Sequence, residues 1–312
     1  MSALTGVVLR SYGPSEPLRA EELELAAGPG ETVVEMRLGA VSPADRSVLA
    51  GKQPTTPFVP GSEGTGVVVT SSVIEAGTPV IVRGQGVGVT RPGLWGRYAV
   101  VPDAAVHPLP AGVDPVAALA LLTPALTAHT AVRRVAGVVE GETVVVTGIT
   151  SLLGRLCAAV ARSAGAKKVI GLAWFGETVD PALADQIVRV DELGQVGREL
   201  SWCDAAIDTV GGPVTSGVLG HITPGGRVAV VGYKAGEFTT IDLHQLIGRD
   251  LRLLPVNLQR TVLEPGAVSA ALADTEAAQV RPDVELVPAR RVGDVLERIP
   301  AERRVFLDLT AF

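Results

Sequence analysis

The sequence predicts a two-domain α/β protein, a β-rich first third followed by a doubly wound parallel sheet. Three observations carry this. Residues 1 to about 112 break into short β-branched runs separated by Gly-Pro, Pro-Gly and Asp-type turns. From residue 142 onward short apolar runs alternate with helical stretches, the pattern of βαβ units. The first of these units, VVVTGITSLLGRLCAAVARSAGA (residues 144–166), passes from a buried-type strand through a glycine turn into a helix with a one-sided apolar stripe.

Taken in order, strands are expected at residues 5–10, 31–38, 64–70, 79–83 and 98–101. Near Pro115 the texture changes: DPVAALALLTPALTAHTAVRRV is apolar all round and reads as a buried helix pair. Six further strands follow at 143–147, 168–172, 187–190, 204–208, 227–231 and 251–256, with the clearest helix at 152–164; six such strands match a dinucleotide-binding sheet. The tail holds a helix at 267–275 and strands at 285–287 and 304–309, expected to return to the first domain. The expected domains are 1–112 completed by 262–312, and 113–261.

Composition narrows the function. The chain has 312 residues, 47% hydrophobic and 19% charged, enough for two real cores. No apolar run reads as long and uninterrupted enough to span a bilayer, and MSALTGVVLRSYG lacks the pattern of a signal peptide. Two cysteines, Cys157 and Cys203, make neither a disulfide framework nor a Cys-rich metal site, so a reducing, cytoplasmic setting is expected. A net charge of −6 without a basic block disfavours nucleic acid and anionic membranes, leaving a small molecule as the expected partner.

The glycine turn is the first candidate site. Gly148 follows the strand, and Gly154 stands where Leu153, Leu156, Cys157, Val160 and Ala164 begin the helical stripe. A glycine there lets helix and strand approach closely. Between them Ser151 and Leu152 take the place where backbone meets a pyrophosphate; a small hydroxyl suits an anion at a helix N-terminus, and a leucine facing the ligand does not. Two readings stand, a phosphate-binding turn and a βαβ turn that binds nothing. At the end of the second strand, VIGLAWFGETVD puts no charge at Ala173, Trp174 or Phe175, whereas an acid there favours NAD and a base NADP. Trp174 and Phe175 either flank an adenine or are buried, and Glu177 and Asp180 come later, in a segment too short for a normal helix.

At this point the chain resembles the medium-chain dehydrogenase/reductase superfamily, and within it the zinc-independent quinone oxidoreductase and enoyl reductase branch. The resemblance rests on the order and spacing of VSPADRSVLAG, PFVPGSEGTGVVV, GLWGRYAVVPDAAVHPLPAG, LLTPALTAHTAV, DAAIDTVGG, PGGRVAVVGY and LIGRDLRLLPVNL. It implies a GroES-like β-barrel catalytic domain, a Rossmann domain, a nicotinamide cofactor between them and a homodimer. An edge strand at 251–256 is suited to pairing with its mate across a two-fold axis. The departures are the turn itself, Ser42 where many quinone reductases have Asn, and no tyrosine near residues 51–54, where enoyl reductases tend to keep a proton donor.

Within that resemblance, Ser62 takes the zinc branch's histidine position before Glu63, and His107, His129, His221 and His244 are scattered, so no metal is expected and Glu63 reads as structural. Ser42, Asp45, Thr127 and Tyr233 are the candidate catalytic groups, to polarise an acceptor and supply a proton. Two of these have a plainer reading, Asp45 as a brace for the barrel turn and Thr127 as a helix residue bonded to backbone; His129, two residues past Thr127, reads either as a proton relay or as a buried, satisfied histidine. Cofactor contacts are expected from Thr127, Gly148, Ser151, Leu152, Leu153, Gly154, Trp174, Gly232, Tyr233, Lys234, Asn257 and Arg304, the last in place of a late lysine that reaches the cofactor phosphates in the family. Cys157 reads as packing, and Cys203 has no paired base. The expectation is an NADPH-dependent reductase of an activated C=C bond or a quinone-like acceptor, with NADH, or no cofactor, as the alternatives. NADPH rests on the resemblance and on the uncharged strand end. The competing reading is a redox-neutral biosynthetic enzyme, such as a cyclase or isomerase, or a small-molecule binder that kept the fold without productive nucleotide binding.

Overall fold

The computed structural model describes residues 4–14, 16–42, 45–46, 48–52, 57–191, 196, 199–258, 266–276, 282–296 and 303–312. The chain divides into two compact units, residues 1–120 with 281–312, and residues 121–280.

In the first unit β1 (Leu4–Arg10) and β2 (Arg19–Leu25) form an antiparallel hairpin. Next come β3 (Glu31–Val41), β4 (Glu63–Thr70), β5 (Pro79–Arg83), β6 (Tyr98–Pro102) and β7 (Val106–Pro108). β2 was not expected: RAEELEL carries so much charge that its weak alternation was masked, and only pairing with β1 makes it a strand. β3 was expected to stop at residue 38. It runs on to Val41 because its last residues pair with a strand from the far end of the sequence.

The second unit begins within α1 (Pro115–His129), which continues into a π-helical stretch, Thr130–Val135. The helix pair expected here is thus one continuous run. By length and composition this run is apolar enough to cross a membrane, contrary to the sequence reading. Its apolar residues are spent in the interior instead, with Leu119, Leu122, Leu126 and Val132 at most 1% exposed.

Beyond it lie β8 (Thr143–Thr147), α2 (Leu152–Ser163), β9 (Lys168–Trp174), β10 (Gln186–Val190), β11 (Cys203–Asp208) and α3 (Pro213–Leu219). β12 (Ile222–Val230), α4 (Leu243–Gly248), β13 (Arg252–Pro255) and α5 (Ala267–Glu276) follow. The six strands lie in the order β10-β9-β8-β11-β12-β13, all parallel. This is the doubly wound arrangement, and its order reverses between β8 and β11. Val145, Ile170, Val188, Ala206 and Val228 form the buried centre of the sheet.

The chain then returns to the first unit. β14 (Asp283–Pro288) pairs with β15 (Arg303–Asp308), which pairs antiparallel with β3. The resulting order is β14-β15-β3-β4-β5-β7, with β6 also on β3. Trp95 is fully buried there, its indole Nε1 donating to the Ala40 carbonyl at 3.0 Å. α6 (Val292–Leu296) covers this core with Val292 and Val295.

The units meet at 120/121 and 280/281, where 112/113 and 261/262 were expected; residues 261 and 262 themselves lie outside the described residues. α5 was expected with the first domain, but Asp274 ties it to the second. That carboxylate accepts from Arg133 Nε and Nη2 (both 3.2 Å) and Ser163 Oγ (3.0 Å), and faces His129 Nδ1 at 2.9 Å. Burial works to raise its pKa, but these hydrogen bonds hold it below the usual carboxylate range.

A second tie closes the start of the sheet. The Arg227 guanidinium grips both oxygens of Glu142 and donates to the carbonyls of Ala136 and Gly137. Arg227 is nearly buried, so truncating its partner strands a charge. Glu142→Ala is expected to cost about 3 kcal/mol, read as a lower urea midpoint with unchanged slope.

Candidate active site

The carboxyl ends of β8 and β11 meet at the point of reversal, where ligands dock in such sheets. Asp208, the last residue of β11, organises this rim. Its Oδ1 accepts from Thr147 Oγ1 (2.8 Å), Val210 N (3.1 Å) and Gly211 N (3.0 Å), and its Oδ2 from Thr215 Oγ1 (2.5 Å). Thr209 returns two bonds, N to Thr147 Oγ1 (2.8 Å) and Oγ1 to Thr147 O (2.7 Å). Asp208 and Thr147 are fully buried, so every bond is made away from water. In sequence DAAIDTVGG reads only as a strand; the signal for the rim is an apolar run ending in Asp-Thr and a Gly-Gly pair.

The glycine turn sits against this rim. Gly148 has φ +63°, and a Cβ there would lie 2.9 Å from Thr209 Oγ1 and Val210 Cγ1. A Cβ on Gly154 would overlap the Gly148 carbonyl, so the helix touches the strand end backbone to backbone. Ser151 caps α2: its Oγ accepts from Gly154 N (3.0 Å) and donates to Gly148 O (2.7 Å). The hydroxyl is therefore used on the turn, and the donors left for an anion are the amides of Leu152 and Leu153, which have no partner within the helix. Their side chains are half-buried. Gly232 closes the far side, where any side chain would overlap the Thr209 carbonyl.

At the end of β9 the two aromatic residues part. Trp174 packs partly buried against the sheet core, and Phe175 is 81% exposed. Glu177 turns back, its Oε2 accepting from Trp174 N and Thr150 Oγ1, both at 3.1 Å. The strand end that looked uncharged in sequence therefore carries a carboxylate.

The other expected residues are dispersed. Thr127 donates to the Thr123 carbonyl (2.7 Å), the satisfied-helix alternative. His129 belongs to the Asp274 cluster rather than to a proton relay. Tyr233 is 69% exposed just after β12, with Lys234 and Asn257 also at the surface. Cys157 and Cys203 are fully buried, and burial pushes both thiols up to about 12, which makes them inert packing.

In the first unit Asp45 is fully buried and braces a turn. Its Oδ2 accepts from Ser42 N (2.8 Å) and Ser42 Oγ (2.6 Å), and its Oδ1 from Ser62 N (3.0 Å). Ser42 Oγ in turn accepts from Asp45 N at 3.2 Å. The plainer reading of Asp45 is the one the geometry supports, and the Ser42 hydroxyl is occupied with it. Glu63 is held by Arg83 Nε (2.8 Å) and faces Arg304 Nη2 at 3.8 Å. Arg304, expected to reach the cofactor phosphates, is placed by this ion pair beside Glu63. Among the described residues no three His, Cys, Asp or Glu side chains cluster as a metal site.

Such a sheet, with a backbone-lined turn at its reversal, joined in one chain to a mainly antiparallel unit, defines a nucleotide-fold enzyme of two units. Residues 28–111 match the alcohol dehydrogenase GroES-like domain. The mitochondrial enoyl-[acyl-carrier-protein] reductase of Rattus norvegicus is 25% identical over 272 residues, 81% of this chain and 72% of that protein. The putative quinone oxidoreductase YhfP of Bacillus subtilis is 29% identical over 239 residues, 73% of this chain and 71% of that one. Its structure with NAD bound superposes with a TM-score of 0.74 over 98% of this chain and 100% of that chain, at 21% identity. Escherichia coli K-12 YhdH, solved with bound NADPH, gives 0.73 over 97% and 99%, at 24% identity. The chain belongs to the medium-chain dehydrogenase/reductase superfamily, in its quinone oxidoreductase and enoyl reductase branch.

Burial pushes the Asp45 carboxyl up to about 6, with the Glu63 charge adding to the rise and hydrogen bonds from Ser42 and Ser62 opposing it. A carboxyl raised above its unfolded value of 3.8 stabilises the fold fully below 3.8 and loses that contribution as pH rises through about 6. Asp45→Ala is therefore expected to lower Tm at every pH, by leaving the Ser42 and Ser62 amides unpaired, and the deficit is expected to widen from pH 7 to pH 5. A deficit that narrows toward pH 5 would contradict the raised carboxyl.

Proposed function

We propose that the chain is a metal-independent, nicotinamide-dependent reductase that delivers hydride to an activated C=C bond or a quinone-like small molecule. The observation that carries the reading is the backbone-lined turn at the sheet's reversal. Gly148, Gly154 and Gly232 keep side chains out, and the Leu152 and Leu153 amides face outward from a helix N-terminus. These residues fit a dinucleotide: the amides and the positive end of α2 would hold its pyrophosphate.

A bound nicotinamide would supply hydride to the acceptor carbon. The acceptor then requires one proton. Ser42 and Asp45 bond each other and Thr127 bonds its own helix, so none of them presents a free donor. The Tyr233 phenol, at the carboxyl end of the sheet, is the group we assign to hydrogen-bond the acceptor oxygen or pass it a proton. Metal-free chemistry is supported by the donor set: Ser62 offers an amide to Asp45 where a ligand would stand, and both thiols are packed away.

A homodimer through β13 belongs to the same proposal. β13 is the last strand of its sheet, and α4 just before it exposes Leu243 (63%) and Ile247 (77%). Two buried free thiols support a reducing, cytoplasmic setting.

Fluorescence titration with NADH and NADPH, followed by a screen of quinones and enones, tests the reading. Micromolar binding of at least one nucleotide is expected, with turnover of an acceptor in one of the two classes. Tyr233→Phe is expected to lower kcat by about 10²-fold while nucleotide binding stays unchanged. Absence of binding by either nucleotide at millimolar concentration overturns the reading in favour of a redox-neutral enzyme or a small-molecule binder.

A further inference from the structure

We propose that Glu177 selects the cofactor, making the protein specific for NADH over NADPH; this rests on the dinucleotide reading above. In a doubly wound sheet the adenosine ribose lies at the carboxyl end of the second strand, and an acid there binds its 2′-hydroxyl. In sequence no acid ends β9. In the structure the chain turns back after Trp174, closed by the Glu177 amide on the Trp174 carbonyl at 3.2 Å. The turn returns the carboxylate to the strand's last amide, Trp174 N, and to Thr150 Oγ1 of the phosphate turn. One side chain thus joins the strand end to the glycine turn. Both donors converge on Oε2, and Oε1 accepts no hydrogen bond from the described residues.

The turn is held in place from the next strand. Arg189 Nη1 donates to the Trp174 carbonyl (3.1 Å) and the Glu177 carbonyl (2.8 Å). That commitment ties Arg189 Nη1 to the backbone of the turn. Arg155, a cation on α2 beside this turn, gives its Nε to the Thr150 carbonyl at 3.1 Å. A carboxylate accepts from a ribose diol and repels a 2′-phosphate, which carries a charge of about −1.5 to −2 at neutral pH.

The test measures binding alone. NADH and NADPH are titrated by fluorescence, and ADP-ribose and its 2′-phosphate are used as competitors that isolate the adenosine end. Wild-type protein is expected to bind NADH and ADP-ribose at least about tenfold more tightly than the 2′-phosphorylated forms. Glu177→Gln and Glu177→Ala are each expected to shrink that ratio by about tenfold, and Arg155→Ala to leave it unchanged. Equal or tighter binding of NADPH by wild-type protein overturns the proposal while leaving the reductase reading intact. So does a ratio that neither Glu177 variant moves, or one that Arg155→Ala reverses through loss of NADPH binding. Failure of both nucleotides to bind wild-type protein takes down the reductase reading and this proposal with it.

Discussion

The active-site half of this protein hangs on one buried carboxylate. Asp208 has no cation beside it in its hydrogen-bond set; two hydroxyls and two amides neutralise its lone pairs. A buried charge is tolerated on those terms only if every bond is made. The same bonds that satisfy it fix the loop after β11 against the end of β8. The glycine turn borrows that rigidity: Gly148 packs on Thr209 and Val210, and α2 packs on Gly148. The β12 loop does likewise, with Gly232 on the Thr209 carbonyl. Three loops from three strands are thus registered to one side chain.

The first unit uses the same device at smaller scale. Asp45 gathers two amides and a hydroxyl, and joins the segment after β3 to the one before β4. In both units a buried acid works as a brace, and of the two only Asp45 looks chemical in sequence.

How much of this was legible in sequence follows from range. The 79–83 and 143–147 strands were read to the residue, because a short β-branched run bounded by turn residues carries its own signal. The extension of β3 and the place of α5 depend on partners distant in sequence, Val305 to Asp308 for one and His129 and Arg133, 145 and 141 residues from Asp274, for the other. No local pattern encodes those. The turn glycines were found by spacing, yet the hydroxyl of Ser151 proved to serve the helix. Glu177 stands three residues past the strand end, so its position along the chain does not mark it, and only the reversing turn brings its carboxylate back to Trp174 N.

The pairing of β3 with β15 also sets an order of events at the ribosome. Residues 121–280 form a unit whose strands are all close in sequence, so it has every partner it needs while the chain is still being made. The first unit is interrupted by it. Leu38 to Val41 are made before that unit, and their partners, Val305 to Asp308, after it. The edge of β3 that β15 later covers stays open until the whole of the second unit has been made, an aggregation risk carried by the emerging chain rather than by the folded protein.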